Sequence, residues 1–195
     1  MPRAKRERKS KRAKISNLNE AVRDKGPKRA PYTEDGLSVA VFFRPEHIVS
    51  AIKRRILKAS YVVGNIAWLS NKELLEALRT RKGVSIIVQH DVALLRKHRE
   101  LYLALPPMDN KKTAVRTIRS GTRALAHHKF AVFLDSERKP TGCLTGSYNW
   151  TQQSLKNLEH VCCFDGAKDM GARFIQEHLD TGKISKAVRR VNKKK

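Results

Sequence analysis

The sequence predicts an α/β fold in which a mixed, mostly parallel sheet is flanked by helices on both faces. Two observations lead there. From residue 37 to residue 105, short apolar runs alternate with segments whose apolar residues recur every three or four positions, the pattern of strands alternating with amphipathic helices. The segments are separated by Pro, Gly and Asn at positions that suit helix starts and stops. At 195 residues with no internal repeat, the chain is expected to form one domain with tails and a substantial core.

The elements follow in order. Leu37 to Phe43 is a short apolar strand. Pro45 opens a helix in which Ile48, Ile52 and Ile56 share a face, with Arg54, Arg55 and Lys58 largely on the other sides. Tyr61 to Trp68 is a second strand, and Ser70 or Asn71 caps the next helix, whose Leu74, Leu75 and Leu78 form a buried stripe before Gly83. Val84 to Val88 is a buried strand, and Val92 to Leu105 is a helix that Pro106 and Pro107 terminate. Residues 106 to 120 form a polar, basic connection, expected to be a mobile loop. Arg123 to Leu134 then reads as a strand, Ser136 to Thr141 as a turn, and Gly142 to Ser147 as the returning strand. A short helix after Thr151, a strand from Glu159 to Phe164 and a helix from Ala167 to Leu179 complete the body.

Charge divides the chain. Forty-two Lys and Arg against eighteen Asp and Glu leave a net charge of +24. Residues 1 to 30 carry +9 and residues 183 to 195 carry +7, so the segment between them is itself basic at +8. Residues 1–36 are therefore expected to be a disordered basic arm that binds polyanions or serves as a nuclear address, residues 37–182 the folded domain, and residues 183–195 a basic tail. No stretch has the length of apolar sequence that a membrane span needs, and the N-terminus lacks the apolar core of a secretory signal. A soluble intracellular protein (cytoplasmic, nucleoid or nuclear) is expected. Cys143, Cys162 and Cys163 sit in strand-like apolar contexts without Cys-x-x-Cys spacing, which suggests buried free thiols and no metal site. Similarly, His47, His90, His98, His160 and His178 lack paired ligand spacing.

One stretch carries chemistry. His127 and Lys129 lie two apart on a predicted strand and so face one way, and Ser147 and Asn149 repeat that spacing on the next strand. Imidazole attacks phosphorus, ammonium neutralises a phosphate oxygen, and hydroxyl and carboxamide donate to the others. Such a set describes a phosphodiester site that needs no metal or other cofactor. His128 alternates away from this face, and Tyr148 and Trp150 are expected to pack in the core. Arg116, Arg119 and Arg123 precede the motif strand and are candidates to hold a nucleic-acid backbone.

The run from His127 and Lys129 to Gly146-Ser147-Tyr148-Asn149-Trp150 and then Glu159 resembles the HKD motif of the phospholipase D superfamily. The likeness is greatest to its small single-motif members, the bacterial endonucleases and the mitochondrial cardiolipin hydrolase type. It implies a phospholipase D-like fold over roughly residues 37 to 180. It also implies a homodimer with a composite active site, since the chain has one motif where other members pair two. His127 of one protomer would attack phosphorus to give a phosphohistidine, and His127 of a second would protonate the leaving oxygen and then activate water. Lys129 and Asn149 would hold the non-bridging oxygens with support from Ser147, and Glu159 would accept a hydrogen bond from the histidine. The chain departs from the motif at Asp135, one residue later than the usual acidic position, which Leu134 occupies. That shift turns the side chain over unless a bulge absorbs it, so Asp135 is at most a supporting residue.

A basic body with basic ends favours nucleic acid, DNA or RNA, as the substrate, with phosphate-only contacts and little sequence specificity. Two alternatives remain: a phospholipase acting on an anionic lipid such as cardiolipin at an anionic membrane surface, and a catalytically silent nucleic-acid-binding or scaffold module. An exposed apolar rim around the cleft would favour the lipid.

Overall fold

Successive side chains of a strand face opposite sides of a sheet, and here both sides are covered. The computed structural model describes residues 32–34, 36–109, 111–118 and 126–188. In chain order the elements are β1 (Tyr32–Glu34), β2 (Leu37–Phe42), α1 (Pro45–Lys58), β3 (Tyr61–Ile66), α2 (Lys72–Arg79), β4 (Gly83–Gln89) and α3 (Val92–Leu103). They continue with β5 (Val115–Ile118), β6 (Lys129–Leu134), β7 (Pro140–Gly146), a 3-10 turn (Gln153–Lys156), β8 (Val161–Asp165), α4 (Lys168–Lys183) and β9 (Lys186–Ala187).

Local signals set the helices. Pro45 takes the first turn of α1, the Asn71 side chain accepts from the Leu74 amide at 3.2 Å to cap α2, and Asp91 does the same for Leu94 in α3 at 2.9 Å. Their apolar stripes then pack. Ile48, Ile52 and Ile56 of α1, Leu74, Leu75 and Leu78 of α2, and Leu95 and Tyr102 of α3 meet Val62, Ile66, Ile86, Ala131 and Phe133 on one face of the sheet. Each such Ile or Leu contributes about 2 kcal/mol when fully buried, so packing rather than propensity holds these short helices. On the other face Val63, Val132, Leu134 and Cys143 pack against Met170, Phe174 and Ile175 of α4. Helices on both faces were expected.

The strands form one sheet in the order β1-β2-β8-β7-β6-β3-β4-β5-β9. The mixed α/β class agrees with the sequence reading, but the parallel share is smaller than expected. Two pairings, β3 with β4 and β4 with β5, are parallel; the other six are antiparallel. The reason lies in burial. All six residues of β6 are buried, and a strand covered on both faces gives the same unbroken apolar run whichever way its neighbours point. The polar connection expected over residues 106–120 contains β5, while β1 and β9 fall within segments 1–36 and 183–195, assigned to the arm and the tail. The N-terminal basic block lies outside the described residues.

Two polar ties cross the layers. Arg55 of α1, 7% exposed, donates from Nε to Asp165 Oδ1 at 2.8 Å and from Nη2 to Asp165 Oδ2, and from Nη1 to the Ala51 carbonyl at 3.2 Å. His178 of α4 lies buried beneath β3 and β4, its Nδ1 2.8 Å from Asn65 Oδ1 and its Nε2 2.8 Å from Ser85 Oγ. The amide oxygen only accepts, so the proton sits on Nδ1 and the serine hydroxyl donates to Nε2. Burial pushes this imidazole down to about 4.

Candidate active site

The catalytic candidates gather where β3 and β4 end and β6 and β8 begin. The β3–β6 ladder runs on past its last paired residues, with the Ala67 amide donating to the His128 carbonyl at 2.8 Å. The Gln89 side chain accepts from the Ala126 amide at 2.9 Å, fixing the approach to the strand. Lys129 shares its face of β6 with Ala131 and Phe133, the face that meets α1 to α3.

Lys129 is 7% exposed. Its Nζ stands 3.0 Å from His127 Nε2 and donates to the His127 carbonyl at 3.0 Å. An ammonium only donates, so the pair is satisfied when Nε2 offers its lone pair and Nδ1 carries the proton. Burial lowers the Lys129 pKa, and the charge of Glu159 opposes that shift. Trp68, just beyond the end of β3, links the two. Its ring makes an edge contact with the His127 imidazole at 5.3 Å between centroids and 78°, and Lys129 Nζ lies 5.9 Å from its centroid. The sequence reading did not single out Trp68; its signal was an aromatic residue closing an apolar strand.

Ser147, Asn149 and Glu159 come from the facing strand ends. Gly146 permits a close crossing, since a Cβ there would lie 2.2 Å from the His160 carbonyl oxygen. Ser147 then clips β7 to β8: its amide donates to the His160 carbonyl at 3.1 Å, and its Oγ accepts from the His160 amide at 3.1 Å. Asn149 is half-buried, with Oδ1 buried and without a partner. The next carbonyl, that of Trp150, accepts from the Ser70 and Asn71 amides at 2.7 and 2.8 Å, which ties this loop to the one bearing Trp68. Glu159, also half-buried, accepts from Asn157 Nδ2 at 3.3 Å. The expected hydrogen bond from His127 to Glu159 is thus replaced: His127 Nε2 meets Lys129, and Glu159 acts on Lys129 through its charge.

Other candidates are placed elsewhere. Asp135 sits at the far end of β6, about 20 Å along the strand from Lys129 at ~3.3 Å per residue. There its Oδ1 accepts from the Glu137 and Lys139 amides at 2.9 Å each, closing the turn to β7. The bulge that would have restored its direction is on β7 instead: Phe133 pairs with Gly142 and Leu134 with Pro140, leaving Thr141 extra. Arg116, expected at the cleft mouth, turns to α4, donating from Nε to Ser185 Oγ at 2.6 Å and from Nη2 to the Ser185 and Gly182 carbonyls at 2.8 and 3.2 Å. Its strand alternation puts it on the face opposite Lys129, where it closes the carboxyl end of the helix. Arg119 and Arg123 lie outside the described residues.

His128 does point away, its Nε2 3.8 Å from Glu177, and Tyr148 and Trp150 are buried in the core. Cys143, Cys162 and Cys163 are free thiols; burial pushes Cys143 up to about 12 and Cys163 up to about 11, whereas Cys162, expected to be buried, is half-exposed. Among the described residues no group of three or more His, Cys, Asp and Glu is placed to hold a metal ion. Nor does any helix among them have the length and apolarity to cross a membrane.

Trp68 also lines a groove of about 590 Å³, whose walls include Lys97, His98, Asn149, Gln152 and Gln153. Two exposed apolar side chains border the same end of the sheet: Phe43, 58% exposed and 6.5 Å from the His160 ring, and Leu158, 65% exposed and adjacent to Glu159.

The mixed sheet, nine-stranded among the described residues and covered by helices on both faces, with an imidazole and an ammonium where its central strands end, has the phospholipase D-like fold. The solved structures similar to it include NucT from Helicobacter pylori, with a TM-score of 0.59 and 13% identity over 77% of this chain and 99% of that one. Nuc from Salmonella typhimurium, a phospholipase D family member, gives 0.59 and 16% over 79% and 99%. Phosphatidylserine synthase from Haemophilus influenzae gives 0.55 and 16% over 83% and 43%. No protein-family model matches the sequence. An uncharacterized protein of Acanthamoeba polyphaga mimivirus is 27% identical, the match covering 72% of this chain and 64% of that protein, so the chain spans less than two thirds of that relative's length.

Proposed function

We propose that this chain is a phosphodiesterase that cuts nucleic acid without a metal ion, through a phosphohistidine. The observation that carries the reading is the 3.0 Å approach of His127 Nε2 to Lys129 Nζ, with the ammonium held off solvent. A phosphodiester entering between them exchanges the ammonium's hydrogen bond to imidazole for one to a non-bridging oxygen. The Nε2 lone pair is then released toward phosphorus. Attack forms the N–P bond and breaks the P–O bond to the leaving strand, whose oxygen takes a proton from His127 of a second protomer. That second histidine next removes a proton from water, whose oxygen displaces Nε2 and frees the phosphate. Asn149 donates to the other non-bridging oxygen, Glu159 keeps Lys129 charged, and Ser147 fixes the strand ends that bring them together. Two such half-sites meet most economically across an isologous twofold interface.

The net charge of +24 supports nucleic acid as the polyanion concentrated at the surface. A second reading, hydrolysis of an anionic phospholipid, draws support from exposed Phe43 and Leu158 beside the site, side chains suited to acyl contact. Labelled single- and double-stranded DNA and RNA, incubated in EDTA with the wild type and His127→Ala, decide between them. Cutting that survives chelation and is lost in the variant is expected. No cutting by the wild type, with cardiolipin vesicles hydrolysed instead, would replace the nuclease reading by the lipid one. Binding without either reaction would leave a silent module.

A further inference from the structure

Apart from Asn149, the groove that Trp68 lines is not used by the chemistry just described, and its lining differs from that of a phosphate site. Phosphate oxygens accept only and are held by donors. This wall instead offers the carboxamides of Asn149, Gln152 and Gln153, each with both a donor and an acceptor, beside the Trp68 indole and a single ammonium, that of Lys97. The carboxylate that also lines it, Asp91, accepts from the Leu94 amide at the start of α3. Asn149 Oδ1 is buried without a partner.

Mixed donors and acceptors beside an aromatic plane are what an unpaired nucleobase needs: its edge carries both kinds of group, and its face stacks. The volume of about 590 Å³ lies within the ~300–1,000 Å³ of small-molecule sites. Position agrees. The Trp68 ring lies 5.3 Å from that of His127 and also lines the groove, so a phosphate at the dyad and a base in the groove would share one indole as neighbour.

We propose that the groove receives the nucleoside adjoining the scissile phosphate and reads its base edge, making cleavage base-selective at one position. The inference rests on the nuclease reading. It replaces the phosphate-only recognition expected from charge, and it requires the base to be unpaired, so single strands are cut in preference to duplex. Trp68 is the stacking wall, and Gln152 and Gln153, both exposed, are the readers at the rim.

The test is sequencing of the ends released from a randomised single-stranded oligonucleotide pool in EDTA. Wild type is compared with the double variant Gln152→Ala/Gln153→Ala, and the readout is the ratio among the four bases at each position flanking the cut. That ratio is independent of the total rate. The wild type is expected to favour one or two bases about tenfold at a single position, the discrimination one good amide–base pair supplies, and the double variant to lose most of that bias. Separately, the His127→Ala protein titrated with each of the four nucleoside monophosphates should show base-dependent quenching of indole fluorescence, absent when Trp68→Phe is added. Efficient cutting without bias, or bias unchanged in the double variant, overturns the inference and leaves the nuclease reading standing. Absence of nucleic-acid cutting by the wild type overturns the nuclease reading, and the inference with it.

Discussion

Acidification should loosen this fold through His178. Its imidazole, 6% exposed and held between Asn65 and Ser85, binds a proton at about 4 in the folded chain, against an ordinary value of 6.5. The folded protein therefore holds this proton more weakly than the unfolded chain does. Stability from the neutral imidazole is complete above the unfolded value and drains away as pH falls toward the folded one. At about 1.4 kcal/mol per pH unit, the loss is roughly 2 kcal/mol near pH 5 and approaches ~3 kcal/mol below pH 4. Urea unfolding near pH 7.5 and near pH 5 measures it, in the wild type and in His178→Gln, which keeps a polar group at the site but does not titrate. With a urea slope of ~2 kcal/mol/M, the wild-type midpoint should fall by about 1 M more than that of the variant. Equal shifts in the two proteins would refute the assignment of the buried, neutral imidazole.

Three further outcomes follow from the geometry. Lys129→Gln should leave the fold intact and slow phosphodiester cleavage by about 100-fold or more; because burial lowers the Lys129 pKa, the wild-type pH–rate profile should fall on its alkaline side before an ordinary lysine would titrate. Asp135→Ala should leave the cleavage rate within about threefold while costing ~1 kcal/mol in thermal unfolding, since its carboxylate closes the β6–β7 turn. Asp165→Ala should cost roughly 2 kcal/mol by denaturant titration, because it leaves the Arg55 guanidinium buried without its carboxylate, and Arg55→Met added to it should recover part of the loss.

The legible parts of the chain are those whose signal is local. The spacing of Ile48, Ile52 and Ile56 and the cap at Asn71 gave α1 and α2 directly, and the two-residue step from His127 to Lys129 pointed to their pairing, although His127 stands just before β6 rather than on it. Strand direction was hidden because burial on both faces erases the alternation that marks an antiparallel strand. β5 was hidden because Val115–Ile118 carries Arg116 and Thr117 among its four residues. The edges β1 and β9, Tyr32–Glu34 and Lys186–Ala187, pair through the backbone and have no apolar run of their own. At the site, Asp135 was read against the spacing of a motif when its local sequence was that of a turn. Trp68 lies 59 residues before His127, and only the β3–β6 pairing brings them together.

That pairing also decides where the His127–Lys129 dyad stands in the order of unfolding. Among the described residues β6 is the fifth of nine strands, with four on each side, and the edge strands are the shortest, at three residues and two. Fraying that begins at either margin must unzip several ladders before it reaches His127 and Lys129. The centre of the sheet should therefore exchange its amide hydrogens last, and the margins are where sequence can lengthen or drift at least expense to the chemistry.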